Sequence, residues 1–155
     1  MSTHTLFNEK LIFFDKIPSD NFSAIKILGD ELVKAGYILP AYIKTVSKRE
    51  FDFPTGIALR SSGVAIPHAA PENNVLKDGI AVLRLKKPVI FHSMEDSEDK
   101  LSVSIIFMLA LREANGHISM LQKLFRIFQQ NDLMQKLLIA DNTEKFQTLM
   151  LENMQ

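Results

Sequence analysis

The chain has 155 residues, 46% of them apolar and 23% charged, values that fit one soluble globular domain, residues 1–155, with a core large enough to need no staples. Lys plus Arg and Asp plus Glu balance at 18 each, so no overall charge recruits nucleic acid or an anionic membrane. Cys is absent, which excludes disulfides, thiolate nucleophiles and Cys-based zinc sites.

Met1-Ser2-Thr3-His4-Thr5 lacks the basic start and apolar run of a signal peptide. The longest apolar runs, such as Ile105 to Leu111, are far too short to span a bilayer. A cytoplasmic location without membrane insertion is the expectation.

In chain order, Leu11-Ile12-Phe13-Phe14 reads as a short strand or a packed lead-in. Asp15 to Asp20 reads as a turn, with Ser19 or Asp20 placed to cap a helix. Phe22, Ile25, Leu28, Leu32 and Ala35 recur at near-helical period, and Gly36 suits the stop. Pro40 suits the first turn of a second helix with Ile43 and Val46 inward, ending in Lys48-Arg49-Glu50, where the cations suit the negative end of the dipole.

Phe51 to Gly56 and Ser61-Ser62-Gly63 have turn chemistry, and Ile57-Ala58-Leu59 between them is a brief strand or a loop. Gly63-Val64-Ala65-Ile66 reads as a strand buried on both faces, ended by Pro67, which has no N–H for the ladder. Two more strands are expected at Gly79 to Leu85 and Val89 to Phe91, and a central one at Leu101 to Ala110. Asn115-Gly116 offers a turn and cap before an amphipathic helix opened by His117, with Ile118, Leu121, Leu124, Phe125 and Phe128 inward. Asp132 is placed to cap a shorter helix, and Asp141 with Glu144 resembles a capping box for a last one. Helices at both ends around several strands predict a single layered α/β domain, a mixed β-sheet flanked by helices.

Four histidines are the candidates for chemistry: His4, His68, His92 and His117. His4 and His92 read as solvated. His68 follows a buried strand directly, where open α/β sheets commonly bind ligands. No His-Glu-x-x-His pattern, Gly-rich phosphate loop or Gly-x-Ser-x-Gly elbow is present. A zinc hydrolase built on His68, His92 and His117 would have to collect its ligands from distant segments. A neutral imidazole at His68 is instead a nucleophile able to accept a phosphoryl group. The charge spread over that group needs fixed donors, which Arg49 and His117 can supply.

Arg49-Glu50, Phe53-Pro54-Thr55-Gly56-Ile57 and Ala65-Ile66-Pro67-His68 together resemble the IIA component of bacterial sugar phosphotransferase systems, in the fructose–mannitol superfamily. The resemblance continues through Gly79 to Leu85, the strand before Glu113 and the His117 helix, and its wording is most similar to the galactitol-type branch. It implies a phosphoryl carrier with a mixed sheet flanked by helices, needing no cofactor and no metal. It implies that His68 accepts phosphate from HPr and passes it to a cysteine of a IIB component, the membrane IIC component being served indirectly. Arg49 would stabilise the phosphoryl group and His117 would lie beside it. A regulatory IIA-like module of the nitrogen type is the alternative of the same fold. Two departures stand out: Ala69 replaces the glycine frequent after the active histidine, and Arg60-Ser61-Ser62 lengthens the path from Arg49 to His68.

Overall fold

The computed structural model describes residues 6–154. A 3-10 turn at Glu9–Leu11 leads into β1 (Ile12–Phe13), followed by helices α1 (Asn21–Lys34) and α2 (Pro40–Asp52). Strands β2 (Gly56–Ala58), β3 (Gly63–Ala65), β4 (Gly79–His92) and β5 (Lys100–Ala110) come next, then α3 (Ala114–Phe128), α4 (Asn131–Ile139) and α5 (Thr143–Asn153). The sheet order is β1-β4-β5-β3-β2, with β1 parallel to β4, β3 parallel to β5, and the other two pairs antiparallel. The mixed sheet flanked by helices is the architecture the sequence predicts.

Alternation along β5 explains the layering. Ile105, Phe107 and Leu109 point to one face and pack with Met120 and Leu124 of α3, Leu137 of α4 and Phe146 of α5. Ile106, Met108 and Ala110 point to the other and pack with Ile25 and Leu28 of α1 and Tyr42 and Val46 of α2. A strand covered on both sides must be apolar on both sides, which is why this segment reads as a continuous hydrophobic run.

Local chemistry fixes the helix ends. Asp20 accepts the Ser23 N–H at 2.7 Å as the cap of α1. Gly36 ends it at φ +83°, a left-handed conformation suited to glycine, and the Tyr37 N–H closes back on the Leu32 carbonyl at 2.9 Å. Pro40 takes the first position of α2, as its fixed φ favours.

Several boundaries differ from the sequence reading. Ile57-Ala58 belongs to a strand, β2. The two strands expected at Gly79 to Leu85 and Val89 to Phe91 are one, β4, carrying a large bulge. Arg84 pairs with Ile105 and Val89 with Val103, so β4 advances five residues against two on β5. Lys86, Lys87 and Pro88 sit in that exposed bulge, where a missing N–H leaves no gap in the ladder. Glu113, not Asn115-Gly116, is the N-cap of α3, so the helix starts earlier than expected. Its inward face therefore carries His117, Met120, Leu124 and Ile127, while Ile118 is 61% exposed. Phe22 also lies nearer the surface than its place in the apolar pattern implies. The cap of α4 is Gln130 in place of Asp132, and Asn142 caps α5 one residue after Asp141, accepting the Lys145 N–H at 2.8 Å.

Candidate functional site

Topology brings three separate segments to one edge of the sheet. Because β3 and β5 are parallel, their carboxyl ends emerge side by side. The first continues to His68; the second passes through 111–113 into α3 and so to His117. Because β2 is antiparallel to β3, with Gly56 opposite Ala65, the chain arriving from α2 reaches the same edge, bringing Arg49.

The backbone around His68 is held at successive residues. The Ile66 N–H donates to Thr55 Oγ1 at 3.2 Å, the Leu109 N–H donates to the Pro67 carbonyl at 3.0 Å, and the Ala69 N–H donates to the Tyr42 hydroxyl at 3.2 Å. Tyr42 in turn donates to the Leu109 carbonyl at 2.8 Å, and burial pushes its pKa up to about 12. Ala69 is buried, while positive φ outside glycine occurs, among the described residues, at Glu72 and Asn73. The loop after the histidine thus needs no glycine at position 69. Arg60-Ser61-Ser62 lies in the hairpin tip beyond the pairing of Ala58 with Gly63. That tip is at the end of the hairpin away from His68 and from the Thr55–Ile66 bond.

His68 is partly buried, with Nδ1 2.7 Å from the Ile66 carbonyl. A carbonyl oxygen only accepts, so in the neutral ring Nδ1 carries the proton and Nε2 keeps a free lone pair. Burial lowers the His68 pKa, the Ile66 hydrogen bond opposes this, and the Arg49 charge lowers it further. The ring is therefore poised neutral and nucleophilic.

The His117 ring lies beside it, centroids 5.4 Å apart and planes inclined at 33°. His117 is 7% exposed, and its Nε2 is buried with no hydrogen-bond partner. Burial, then the neighbouring His68 and the Arg49 charge, push its pKa down to about 4, against the opposing pull of Asp78. Arg49 is exposed on the last turn of α2, its guanidinium 4.9 Å from the Phe53 ring centroid. Its positive charge lowers the pKa of both imidazoles, the pair that the structure sets ring beside ring.

The sequence reading missed Glu50, Thr55 and Tyr42. Glu50 is 3% exposed; its Oε2 accepts the Thr55 N–H at 2.8 Å and its Oε1 accepts the Thr55 hydroxyl at 2.7 Å. Burial raises its pKa, while the two Thr55 bonds and the fields of Arg49 and His92 pull it back. The available signal was spacing. Tyr42, Val46 and Glu50 recur every four residues, one stripe along α2.

His92 is not in the cluster of His68 and His117. Its Nδ1 is 2.7 Å from the Ser97 carbonyl, and it lines a cleft of about 680 Å³ with Glu50, Phe22, Phe51, Ile90 and Lys100, into which none of the three predicted residues projects. His4 lies outside the described residues. Among the described residues no group of three His, Asp or Glu side chains is arranged to hold a metal ion. Nor is any of their helices long and apolar enough to cross a membrane.

Comparison with known proteins bears on what such a site does. The sequence model of the family described as "Phosphoenolpyruvate-dependent sugar phosphotransferase system, EIIA 2" matches residues 5–153. The mannitol-specific EIICBA component of Pasteurella multocida is 28% identical over 150 residues, covering 96% of this chain, which spans only 23% of that longer protein. The galactitol-specific EIIA component of Escherichia coli K12 is 27% identical over 125 residues, covering 81% of this chain and 82% of its own. Among solved structures, the complex of enzyme IIAMtl with phosphorylated enzyme IIBMtl from Escherichia coli aligns with TM-score 0.78 at 25% identity, over 95% of this chain and 97% of that one. The nitrogen regulatory protein IIA-Ntr of Neisseria meningitidis aligns with TM-score 0.78 at 26% identity, with the same coverage.

Proposed function

Because the chain belongs to the EIIA 2 family of the phosphoenolpyruvate-dependent sugar phosphotransferase system, whose members are phosphoryl carriers, we propose that it carries the phosphoryl group on His68. The donor is phospho-HPr and the acceptor is the cysteine of a IIB component, which serves a membrane IIC component in the uptake of a galactitol-like polyol. In this reading the chain acts as a single cytoplasmic domain.

The observation that carries the reading is the bond from His68 Nδ1 to the Ile66 carbonyl, because it keeps the ring proton on Nδ1 and leaves the Nε2 lone pair free. In the first transfer a P–N bond forms at Nε2 while the bond from phosphorus to its donor atom on HPr breaks, the electron pair returning to that atom. In the second the P–N bond breaks as phosphorus bonds the acceptor sulfur, and the pair returns to Nε2. Neither step asks His68 to give up its Nδ1 proton. The developing charge on the phosphoryl oxygens falls beside the Arg49 guanidinium and the unpartnered His117 Nε2, which as N–H gains an acceptor when the phosphoryl group arrives. The exposed Phe53 ring against Arg49 gives the site an apolar neighbour suited to small, quickly released interfaces.

Incubating the protein with phosphoenolpyruvate, enzyme I and HPr tests the reading. An acid-labile phosphate is expected on His68, and a folded His68→Ala variant that still took up phosphate would overturn it. The likeness to a nitrogen regulatory protein supports a second reading, a regulator whose phosphorylation state selects its partner. Transfer onward to a IIB cysteine separates the two, since a pure regulator need not perform it.

A further inference from the structure

We propose that Glu50 and Thr55 are positioning residues for His68: the carboxylate holds Thr55, Thr55 holds the Ile66 N–H, and Ile66 so fixed sets the histidine tautomer. This rests on the reading of His68 as the phosphoryl acceptor and adds what keeps its reactive nitrogen open.

The donors in this chain all run one way. The Ile66 N–H points to Thr55 Oγ1, the Thr55 hydroxyl proton points to Glu50 Oε1, and the Thr55 N–H occupies Glu50 Oε2. Each Glu50 oxygen faces a donor, so the geometry calls for an ionised carboxylate, since a protonated one would turn its own O–H toward a donor. With its proton committed to Glu50, Thr55 Oγ1 presents a lone pair to Ile66. The Ile66 carbonyl then meets His68 Nδ1 at 2.7 Å.

The links run from 2.7 to 3.2 Å, buried as far as Ile66 and part-buried at His68, and each removes a freedom the next would otherwise have. The Ile66 N–H directs the strand exit toward Thr55, which orients the following Ile66-Pro67 peptide. Its carbonyl could otherwise rotate and leave Nδ1 free to become the acceptor. The other tautomer would put the proton on Nε2 and block phosphorylation there. A buried carboxylate carries a desolvation penalty that an apolar side chain at position 50 would avoid. Its presence behind the nucleophile is explained by an acceptor strong enough to hold both Thr55 donors. Arg49 immediately precedes Glu50 on α2, so one helix end carries both the cation proposed for the site and the chain behind the histidine.

Ring nitrogen NMR of the unphosphorylated protein tests the proposal without any phosphoryl donor. His68 should be mainly the Nδ1–H tautomer in the unaltered chain, and an Nε2–H majority there overturns the proposal before any variant is made. Thr55→Val removes the hydroxyl, and Glu50→Gln sets an amide N–H₂ against a Thr55 donor. Both should raise the Nε2–H fraction and slow acceptance from phospho-HPr by roughly 10- to 100-fold, the scale for a misplaced reacting group, with KM for phospho-HPr nearly unchanged. Thr55→Ser, which keeps the hydroxyl, should restore tautomer and rate together. Should Thr55→Val not fold, Glu50→Gln carries the comparison, because it preserves size and shape. A folded variant with unaltered tautomer fractions overturns the proposal. Phosphorylation of a His68→Ala protein overturns only the reading it rests on, and the two failures appear in different measurements.

Discussion

A buried ring nitrogen without a partner is unfavourable unless something fills the gap, and His117 Nε2 is such an atom. If a phosphoryl oxygen on His68 fills it, His117→Ala should slow transfer by about one to three decades, the scale for losing one transition-state donor. His117→Gln retains a donor and should preserve much of the rate. Arg49→Lys should rescue poorly because the two-pronged fork is lost. Rapid-quench transfer from phospho-HPr and onward to IIB measures each case, and an unaltered rate in His117→Ala would make that residue a bystander. The same ring predicts a pH effect. The unfolded imidazole takes a proton near its ordinary 6.5, whereas the folded one waits until about 4, so the unfolded state binds more protons between those values. Stability should therefore fall as pH drops through that window, with His68 adding in the same direction and Glu50 opposing. Thermal denaturation from about pH 7 to about pH 5 should show a shallower decline in His117→Gln than in the unaltered chain. His68, Arg49 and His117 stand out in the sequence because each carries chemistry a phosphoryl site can use, and the structure sets the two histidine rings side by side. Glu50 and Thr55 stand in the same motifs, yet what they do there was not legible. A glutamate at a helix end and a threonine in a turn normally meet water, and only the folded chain puts the carboxylate at 3% exposure.

At the scale of elements, α2 presents two faces with different duties. Its inward stripe of Tyr42, Val46 and Glu50 binds the sheet and the loop around His68, while Arg49 on the neighbouring face meets solvent. Tyr42→Phe keeps the packing but leaves the Ala69 N–H without its acceptor and should lower stability by about 1–3 kcal/mol in denaturant melts. A change below a few tenths would mean that the loop finds another acceptor. Gly56 tests the adjoining strand. A Cβ there would stand 2.5 Å from the His92 carbonyl, a backbone atom that cannot step aside without disturbing the Met94 N–H bond to the Gly56 carbonyl at 2.8 Å. Gly56→Ala should accordingly destabilise by about 1–3 kcal/mol, the usual range for forced overpacking. Apolar period identified the helices and central strand well, since burial on one or both faces imposes it. Their ends were less legible. Asn142 and Asp141 are equally good caps on composition, and the three-dimensional course of the chain chooses between them. The β4 bulge was hidden for a related reason: Lys86-Lys87-Pro88 looks like a break, yet the strand resumes its pairing at Val89.

At the scale of the whole molecule, the sheet separates two cores that share no helix. Phe107 fills one core and Met108 the other, from adjacent positions of β5. Either residue changed to Ala should cost about 2–5 kcal/mol and melt both cores together, because the strand that carries them is common. Two separate transitions in calorimetry would contradict this. The layered class was legible because helical and strand periods alternate along the chain. The sheet order was not, since nothing local in β3 announces that it lies beside β5. One further feature looks outward. The two ends of the described chain are knit together: Gln147 on α5 donates to the Phe7 carbonyl at 2.6 Å, Thr143 meets Glu9 at 3.2 Å, and Leu6 and Met154 share a core. The hairpin tip at Arg60-Ser61 reaches away from the His68 edge. The chain can thus be re-threaded, its old ends joined by a short flexible linker and new ones opened at that tip, without cutting any backbone that holds the histidine. Such a circular permutant should still take up phosphate, which would make the order of segments along the polypeptide irrelevant to the carrier and leave only their arrangement in space.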